Sequence, residues 1–415
     1  MLQNLQSFIK KYIGYILSLL VLIGLLYFAI SYFKHKPSFL PQNTKQENSK
    51  PAAKKPYHGS IPVLVLSGNN MQEMGVQYGK TLKPQLNEVL AILTDYYITQ
   101  KHLTYTELET QADLLYKRYP SQFQSFLNGV VTGSGLKMSD VKILNAMETL
   151  VALLAKPQAA CAFVSVPGSK TTTGASLIGR NYDYSVPFDR LAKYLTVTIL
   201  KQPDTIPTAF ISIAGEVYCP TCINAKGMFM ELNNGMPSGG KKVDTKAGTM
   251  LINMLIALQN SDNLFQLDEK LRHTASDFSL IVNAAHKGYL LSIEFPTDKK
   301  LKTQRYSPSG EQPFVSTNYF LDSTWGRSIP KPTDQDTWLG VSRRSNLLNL
   351  VNNSTKLDVA KFQQLMDTNI NKGGGLWKNT IYQLIFDESD LSLYIKILGD
   401  KPIPWQQVPL GDFFK

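Results

Sequence analysis

Cysteine is the residue type whose placement in this chain most suggests chemistry. The 415 residues include three cysteines, of which two form the motif Cys219-Pro-Thr-Cys222 and Cys161 is the odd one. An isolated cysteine is often a small buried hydrophobic residue. Cys161, however, directly follows the small pair Ala159-Ala160, where helix-like sequence changes to strand-like sequence. A strand that starts at a cysteine suits an exposed nucleophile.

The segment that begins at Cys161 predicts a β-hairpin. In CAFVSVPGSKTTTGASLIGRNYDY, an apolar strand leads into a turn of Thr and Gly, and a second strand ends in GRNYD at 179–183. A hairpin of this kind would return Arg180 and Asp183 to the cysteine.

This segment resembles the start of choloylglycine hydrolases, penicillin V acylases, acyl-coenzyme A:6-aminopenicillanate acyltransferases and N-acylethanolamine acid amidases, in which a Cys precedes a strand, a turn and G-R-N-x-D. Upstream, IPVLVLSGNNMQEMGVQYGKTLKPQL looks like the start of the acyltransferase branch. Downstream, the resemblance extends to INAKG at 223–227, ELNNG at 231–235 and the terminal IYQLIFDESDLSLYIKIL. It covers roughly residues 60 to 400.

The resemblance implies an N-terminal-nucleophile hydrolase: an α+β fold, built as a four-layer αββα sandwich of antiparallel sheets. It also implies that the chain cleaves itself before Cys161 and that the freed α-amino group serves as the base. A histidine base is hard to find, since two of the five histidines precede the globular part. The five histidines are His35, His58, His102, His273 and His286. An α-amine, with an ordinary pKa of about 7.7 to 8.0, can accept a proton without them.

Further site residues are carried over from the same resemblance. Arg180 would place a positive charge near the sulfur and favour the thiolate; a surface ion pair with Asp183 or another acid is the alternative. Asp183 would accept a hydrogen bond from the new α-amine, although Asn-Tyr-Asp is also ordinary turn chemistry.

The oxyanion of a tetrahedral intermediate needs hydrogen-bond donors, each worth on the order of 3 kcal/mol. Asn233 holds the place of such a donor in the bile-salt branch, and the adjacent Asn234 leaves the register open by one residue. Asn318 resembles the later Asn that orients the site. Either Arg343 or Arg344 resembles the arginine near the end of the family pattern, and a solvated helix start would explain both equally well.

The Cys219-Pro-Thr-Cys222 motif admits three interpretations: a redox pair, half of a metal site or a structural disulfide. Two cysteines alone cannot complete a zinc site, and the βαβ context of a thioredoxin is missing. We therefore predict a local disulfide, which suits an oxidising compartment. We predict no metal or other cofactor.

The N-terminal region predicts a membrane anchor. Residues 12 to 33 are almost wholly apolar and uncharged, and about 20 such residues cross a bilayer as a helix. We assign residues 1–36 to a single-pass anchor and 37–58 to a disordered basic tether; we find no cleavage site for the alternative, a signal peptide. Lysines after the span favour a cytoplasmic domain, whereas those before it resemble an export signal. We expect the catalytic domain to be extracytoplasmic.

The globular part divides at Cys161 into a helical prosegment, 59–160, and a catalytic domain, 161–415. A strand is predicted at 61–66 and helices over 71–156, one of them opened by Ser139 and Asp140. Later helices are predicted at 248–259, 262–273 and 342–369. Beyond the hairpin, strands are predicted at 193–200, 207–213, 227–232, 278–283, 288–295, 380–386 and 391–397.

The net charge of +11 raises the question of a nucleic-acid partner. Eight lysines and one acid in residues 1–58 account for +7 of it, and attraction to anionic lipid explains a basic tether. No nucleic-acid motif is found, so we predict no nucleic-acid partner. The predicted partners are a small N-acyl amide substrate and the membrane.

We predict an amidase that acts on linear N-acyl amides through a thioester on Cys161, with water or an amine as acyl acceptor. An inactive membrane-tethered binding protein of the same fold, and a thiol oxidoreductase built on the CPTC motif, are the alternatives. The sequence leaves the acyl group, the amine and the oligomeric state open.

Overall fold

A computed structural model describes residues 59–154, 160–240, 242–244, 246–298, 303–322 and 340–415. The predicted anchor and tether lie outside these residues. Within the described ranges, no helix is both long and apolar enough to span a bilayer. All described residues belong to one compact unit that runs from Pro56 to Lys415.

Helices predominate before Cys161 and are interspersed with strands after it. The helices are α1 (Met71–Thr94), α2 (Tyr105–Tyr116), α3 (Ser121–Ser134), α4 (Met138–Asn145), α5 (Met147–Leu154), α6 (Phe188–Leu191), α7 (Met236–Gly239), α8 (Met250–Gln259), α9 (Leu264–Leu271), α10 (Gly340–Asn352), α11 (Val359–Met366) and α12 (Leu410–Phe414). A π-helical segment, Asp95–Gln100, continues α1.

The strands are β1 (Val63–Ser67), β2 (Ala160–Val166), β3 (Leu177–Asp183), β4 (Leu195–Lys201), β5 (Thr208–Ile213), β6 (Thr221–Asn224), β7 (Phe229–Asn234), β8 (Leu280–His286), β9 (Tyr289–Phe295), β10 (Gln304–Tyr306), β11 (Phe314–Ser316), β12 (Thr380–Asp387), β13 (Ser392–Ile397) and β14 (Ile403–Pro409). The predicted strands are all present, with ends shifted by a few residues. The short strands β6, β10 and β11 and the C-terminal β14 were not predicted.

Among the described residues the strands form two sheets. The large sheet has the order β1-β4-β5-β6-β7-β8-β9-β10 and the small sheet the order β11-β2-β3-β12-β13-β14. Every pair is antiparallel except β1 with β4, which is parallel. The fold is therefore α+β with mainly antiparallel sheets, and the predicted hairpins β2–β3 and β12–β13 are both present.

The central strands β2, β3 and β12 of the small sheet are buried on both faces. Phe163 of β2 points to the large sheet, where its ring lies 6.2 Å from that of Phe229 on β7. The alternate residues Ala162 and Val164 pack instead with Leu347 of α10 and with side chains of α11. On the other side of the molecule, α8 packs on β5 and β6, and α9 on β9. Because side chains alternate along β2, one set of its residues lies between the two sheets and the other set lies beneath α10 and α11.

Two helix predictions need correction. The pattern over 342–369 forms two helices, because Lys356 adopts a left-handed φ of 50° and the side chain of Asp358 caps α11 by accepting a hydrogen bond from the Lys361 N–H. The helix expected to open at Ser139 and Asp140 begins at Met138, so both residues lie in its first turn.

Helices α1 and α3 cross at glycines. Gly75 and Gly79 of α1 face Gly129 and Gly133 of α3, and a Cβ added at Gly75 would lie 2.0 Å from the carbonyl oxygen of Phe126. At Gly129 an added Cβ would lie 2.1 Å from a carbonyl oxygen of α1. The two backbones are in direct contact, and any side chain would force them apart.

The first prediction concerns this crossing. In a free helix Gly129→Ala would be favourable by about 1 kcal/mol, but here overpacking should reduce the free energy of unfolding by about 1–3 kcal/mol. Denaturant titration measures the change. Asn128→Ala, at the exposed neighbouring position on the same helix, is the matched control. A Gly129→Ala protein more stable than the wild type would contradict the close contact.

Candidate active site

The hairpin β2–β3 places Cys161 between the two sheets. Cys161 pairs with Tyr182 across the hairpin, and Phe163 pairs with Arg180. Residues two apart in a strand share a face, so Cys161, Arg180 and Tyr182 all face the large sheet. Nη2 of Arg180 lies 3.6 Å from Sγ of Cys161. The predicted return of Arg180 to the cysteine is confirmed.

Arg180 is fully buried, and oxygen atoms of the large sheet surround its guanidinium. Nη2 donates to the carbonyl oxygen of Leu232 at 2.6 Å. Nη1 donates to the carbonyl oxygen of Pro220 and to Oγ1 of Thr221. Nε lies 3.2 Å from a carboxylate oxygen of Glu231 in an ion pair without solvent exposure. This environment excludes the alternative of a surface ion pair with Asp183.

Glu231 extends the network into the large sheet. Nδ2 of Asn283 donates to Glu231 at 2.6 Å, and Oγ of Ser292 donates to Oδ1 of Asn283 at 2.8 Å. Burial raises the pKa of Glu231 to about 7, while Arg180 and the Asn283 hydrogen bond act against that rise. Sequence reasoning missed Glu231, although it lies two residues before Asn233 on the same strand and therefore on the same face.

The backbone nitrogen of Cys161 has a side-chain partner. Its N–H donates to Oδ1 of Asn318 at 3.0 Å, and Nδ2 of Asn318 donates to the carbonyl oxygen of Asn234 at 3.1 Å. Asn318 thus links the start of β2 to the end of β7. In the intact chain the acceptor for this amide N–H is Asn318; that Asp183 accepts from the α-amine freed by cleavage stays a prediction.

Asn233 lies on β7 and is buried. Its Nδ2 donates to the carbonyl oxygen of Ser316 at 3.2 Å, while its Oδ1 has no hydrogen-bond partner among the described residues. The two ends of an amide exchange by a 180° flip. Nδ2 carries two N–H donors and also lies 3.4 Å from Oγ of Ser316, so donation to an oxyanion would use its second N–H or follow this flip.

Asp183 faces the opposite way from Arg180, because residues three apart in a strand point to opposite faces. Its two carboxylate oxygens accept hydrogen bonds from Nη1 of Arg343 on α10 and from Oγ1 of Thr380. Burial raises the pKa of Asp183, and the charge of Arg343 and the Thr380 hydrogen bond oppose that rise. The Asx-turn alternative does not apply, since Asp183 ends β3.

The neighbouring arginines of α10 differ sharply in position. Arg343 is fully buried against Asp183, and its Nε also donates to the carbonyl oxygen of Gly375 at 2.9 Å. Arg344 is only partly buried and donates to the carbonyl oxygen of Val315 at 3.0 Å. The helix phase therefore selects Arg343 as the residue that lies beneath the hairpin.

The thiol of Cys161 is neutral in this state of the chain. Burial raises its pKa to about 12, and Arg180 counteracts only part of that rise. The prediction that Arg180 favours the thiolate has the correct direction, but burial outweighs it. The cause is desolvation, since Cys161 is only 3% exposed.

Histidines do not reach Cys161 within the described residues. His102 and His273 are exposed, and Nε2 of His286 lies 3.1 Å from the carbonyl oxygen of Lys226. In the same residues, no group of three or more His, Cys, Asp or Glu side chains converges as metal ligands. The two other cysteines form a disulfide, Cys219–Cys222, as predicted.

Several solved structures are similar to part of this chain. A Caenorhabditis elegans N-acylethanolamine-hydrolyzing acid amidase ortholog matches with 12% identity over 55% of this chain and 93% of its own, at a TM-score of 0.40. A conjugated bile acid hydrolase variant from Clostridium perfringens matches with 12% identity over 60% and 93%, at 0.42. Penicillin V acylase from Agrobacterium tumefaciens matches with 10% identity over 61% and 79%, at 0.36.

These structures are of the kinds of protein that the sequence resemblance names. No family model matches the chain, and no curated protein matches it either. At such identities and TM-scores the likeness assigns no role to any residue of this chain.

The second prediction tests the support beneath the hairpin. Arg343→Ala would leave Asp183 as a buried carboxylate without its cation, which should reduce the free energy of unfolding by about 3–5 kcal/mol. Arg344→Ala removes a hydrogen bond at a partly buried position and should cost less than about 1.5 kcal/mol. Denaturant titration of both variants decides the matter, and equal losses would contradict the assignment of Arg343.

Proposed function

We propose that this protein is a cysteine amidase, activated by cleavage before Cys161, that cleaves linear N-acyl amides through a thioester on that residue. The supporting observation is the pair of contacts at Cys161: Asn318 accepts from its nitrogen, and Arg180 approaches its sulfur. The buried N–H of any cysteine needs an acceptor, but a structural cysteine has no need of a cation beside its sulfur. An N-terminal cysteine that supplies both nucleophile and base needs its thiolate stabilised and its nitrogen held in place.

Activation would begin with attack of the Cys161 thiol on the carbonyl carbon of Ala160. The acyl group moves from nitrogen to sulfur, so the C–N bond breaks and the nitrogen takes the thiol proton to become the α-amine. Water then hydrolyses the resulting thioester, which releases the carboxylate of Ala160 and the thiol of Cys161. Asn318 is suited to hold that amine, because its Oδ1 already accepts from the same nitrogen. In each later turnover the amine takes the thiol proton and passes it to the leaving amine of the substrate.

Arg180 and Asn233 would serve the charged species of this reaction. Arg180 is the fixed positive charge nearest the sulfur and favours the thiolate. Asn233 would donate to the oxyanion through its second N–H or after its amide flips, and we expect its loss to slow turnover by about 10²–10³-fold. Asp183, Arg343 and Thr380 lie beneath the hairpin, where they support Arg180 and Cys161 from the opposite face.

The packing of helices on the outer face of each sheet supports a four-layer αββα sandwich, with the site in the middle. The alternative of a thiol oxidoreductase has less support. Both cysteines of the disulfide are 0% exposed, whereas exchange requires access for an attacking thiolate. Water and an amine are equally suited to resolve the thioester, so the proposal includes acyl transfer.

The third prediction is processing between Ala160 and Cys161. Fragments of 160 and 255 residues should appear, the larger beginning Cys-Ala-Phe-Val. N-terminal sequencing and intact mass measure this directly. Cys161→Ala should abolish both processing and amide hydrolysis, whereas Cys161→Ser should process more slowly, since a hydroxyl is the poorer nucleophile at neutral pH.

A panel of N-acyl amides read by mass spectrometry would test the activity. Full hydrolysis by a chain shown to be uncleaved would overturn the α-amine mechanism. A processed chain that binds acyl amides without turnover would instead favour the inactive binding protein.

We also propose that residues 12–33 anchor the protein in a membrane, with the catalytic domain outside the cytoplasm. The disulfide supports an oxidising compartment. The fourth prediction is that removal of residues 1–58 yields a soluble protein that keeps its amide hydrolysis, because the proposed site residues all lie beyond the deletion. Flotation on a density gradient, with the full chain as control, measures the membrane association. Co-flotation of the truncated protein with lipid would contradict the anchor.

A further inference from the structure

The disulfide loop lies directly against the arginine of the site. Between Cys219 and Cys222, the carbonyl oxygen of Pro220 and Oγ1 of Thr221 both accept from Nη1 of Arg180. The other terminal nitrogen of the same guanidinium is the one that lies 3.6 Å from Sγ of Cys161. One short loop therefore contacts Nη1 of the guanidinium, whereas Nη2 is the nitrogen near the thiol.

The disulfide adds a covalent restraint to a loop whose two ends are already hydrogen-bonded. From Thr221 onward the chain is held in β6, where Thr221 pairs with Glu231 of β7. Before it, the Cys219 N–H donates to the carbonyl oxygen of Leu251 at 3.2 Å. The carbonyl oxygen of Pro220 also accepts from the N–H of Leu232 at 3.3 Å. The disulfide joins the two ends of the loop, with Cα atoms 5.5 Å apart, and adds a covalent restraint on the direction of this carbonyl.

A role in global stability explains this disulfide poorly. The stabilisation that a cross-link gives by restricting the unfolded chain increases with the length of the loop it closes, and this loop spans a sequence separation of only three. A role in thiol exchange explains the disulfide equally poorly, because Cys219 and Cys222 are both buried. What remains is its local effect, and the local neighbour is Arg180.

We infer that the Cys219–Cys222 disulfide and Thr221 are positioning elements that hold the Arg180 guanidinium against the sulfur of Cys161. Without them, the guanidinium can shift toward Glu231 and away from the sulfur, and the thiolate loses part of its stabilisation. The inference rests on the proposed function only in taking Cys161 as the nucleophile.

The test compares the pH dependence of iodoacetamide alkylation at Cys161 between variants of the full chain. Cys161 is the sole free thiol when the disulfide is intact, and it stays so in the double variant Cys219→Ser/Cys222→Ser. We expect this variant and Thr221→Val to raise the apparent alkylation pKa by about one unit, which lowers the thiolate fraction at neutral pH about tenfold. Amide hydrolysis should show the loss in kcat, with KM little changed.

Two controls separate positioning from general damage. Thr221→Ser retains the hydroxyl and should restore the wild-type profile. Thr198→Val makes the same change at a buried site of the same sheet, where Oγ1 has no hydrogen-bond partner among the described residues, and should leave the profile unchanged. Circular dichroism confirms that each variant is folded.

A double-mutant cycle gives the decisive comparison. In an Arg180→Met background, Thr221→Val should cause no further shift, because there is no charge left to position. A shift of the same size in that background, or with Thr198→Val, would overturn the inference.

Failure of the proposed function would look different: the wild type would show no processing and no hydrolysis. The alkylation profiles would still respond to Thr221→Val and to loss of the disulfide. If the wild type hydrolyses amides while neither change moves the profile, the positioning role alone is wrong.

Discussion

A guanidinium that is removed completely from water is stable only where fixed acceptors surround its donors. At Arg180 the acceptors are the carbonyl oxygens of Pro220 and Leu232, the hydroxyl of Thr221 and the carboxylate of Glu231. All four belong to the large sheet or to the loop that enters it, whereas Arg180 belongs to the small one. The two sheets can therefore face each other at only one offset without leaving a buried charge unsatisfied, and Cys161 obtains its cationic neighbour as a consequence.

The alternation of strands explains why the site residues separate into two groups. Arg180 and Cys161 share the face between the sheets, while Asp183 points beneath the hairpin to Arg343 of α10. Each group contains a buried cation and a buried carboxylate, so neither space carries a large uncompensated charge. Asn318 acts from the edge, where β11 ends beside the start of β2, and it contacts the backbone of Cys161 rather than its side chain. The thiol, its nitrogen and its structural support are thus held by three different parts of the chain.

The parts of this arrangement that could be predicted from sequence are those encoded locally. The β2–β3 hairpin, and with it the approach of Arg180 to Cys161, follow from two apolar runs around a Thr/Gly turn. The choice between Arg343 and Arg344 could not be made, because it depends on the phase of α10 against a sheet formed largely by residues far away in sequence. Glu231 was missed for a similar reason: its partners, Arg180 and Asn283, lie about fifty residues away on either side. The acceptor role of Asn318 depends on an edge strand, β11, that is three residues long and too short to be predicted.

The burial of Cys161 raises the pKa of its thiol and so suppresses the reactivity of the thiol. In the uncleaved chain the hydroxyl of Tyr182 donates to Glu148 of α5, the last described helix before the proposed cleavage bond, at 2.9 Å. The ring of Tyr182 in turn lies 4.9 Å from the Arg180 guanidinium. Residues before Cys161 therefore supply a carboxyl group that interacts with Arg180: burial raises the pKa of Glu148, and the Tyr182 hydrogen bond and the charge of Arg180 oppose that rise. On the proposed mechanism, a single cysteine has to act first in this dry environment, on its own backbone, and afterwards on a substrate. The two steps differ in the proton acceptor, since the α-amine exists only after the first, and that difference makes cleavage a precondition of turnover.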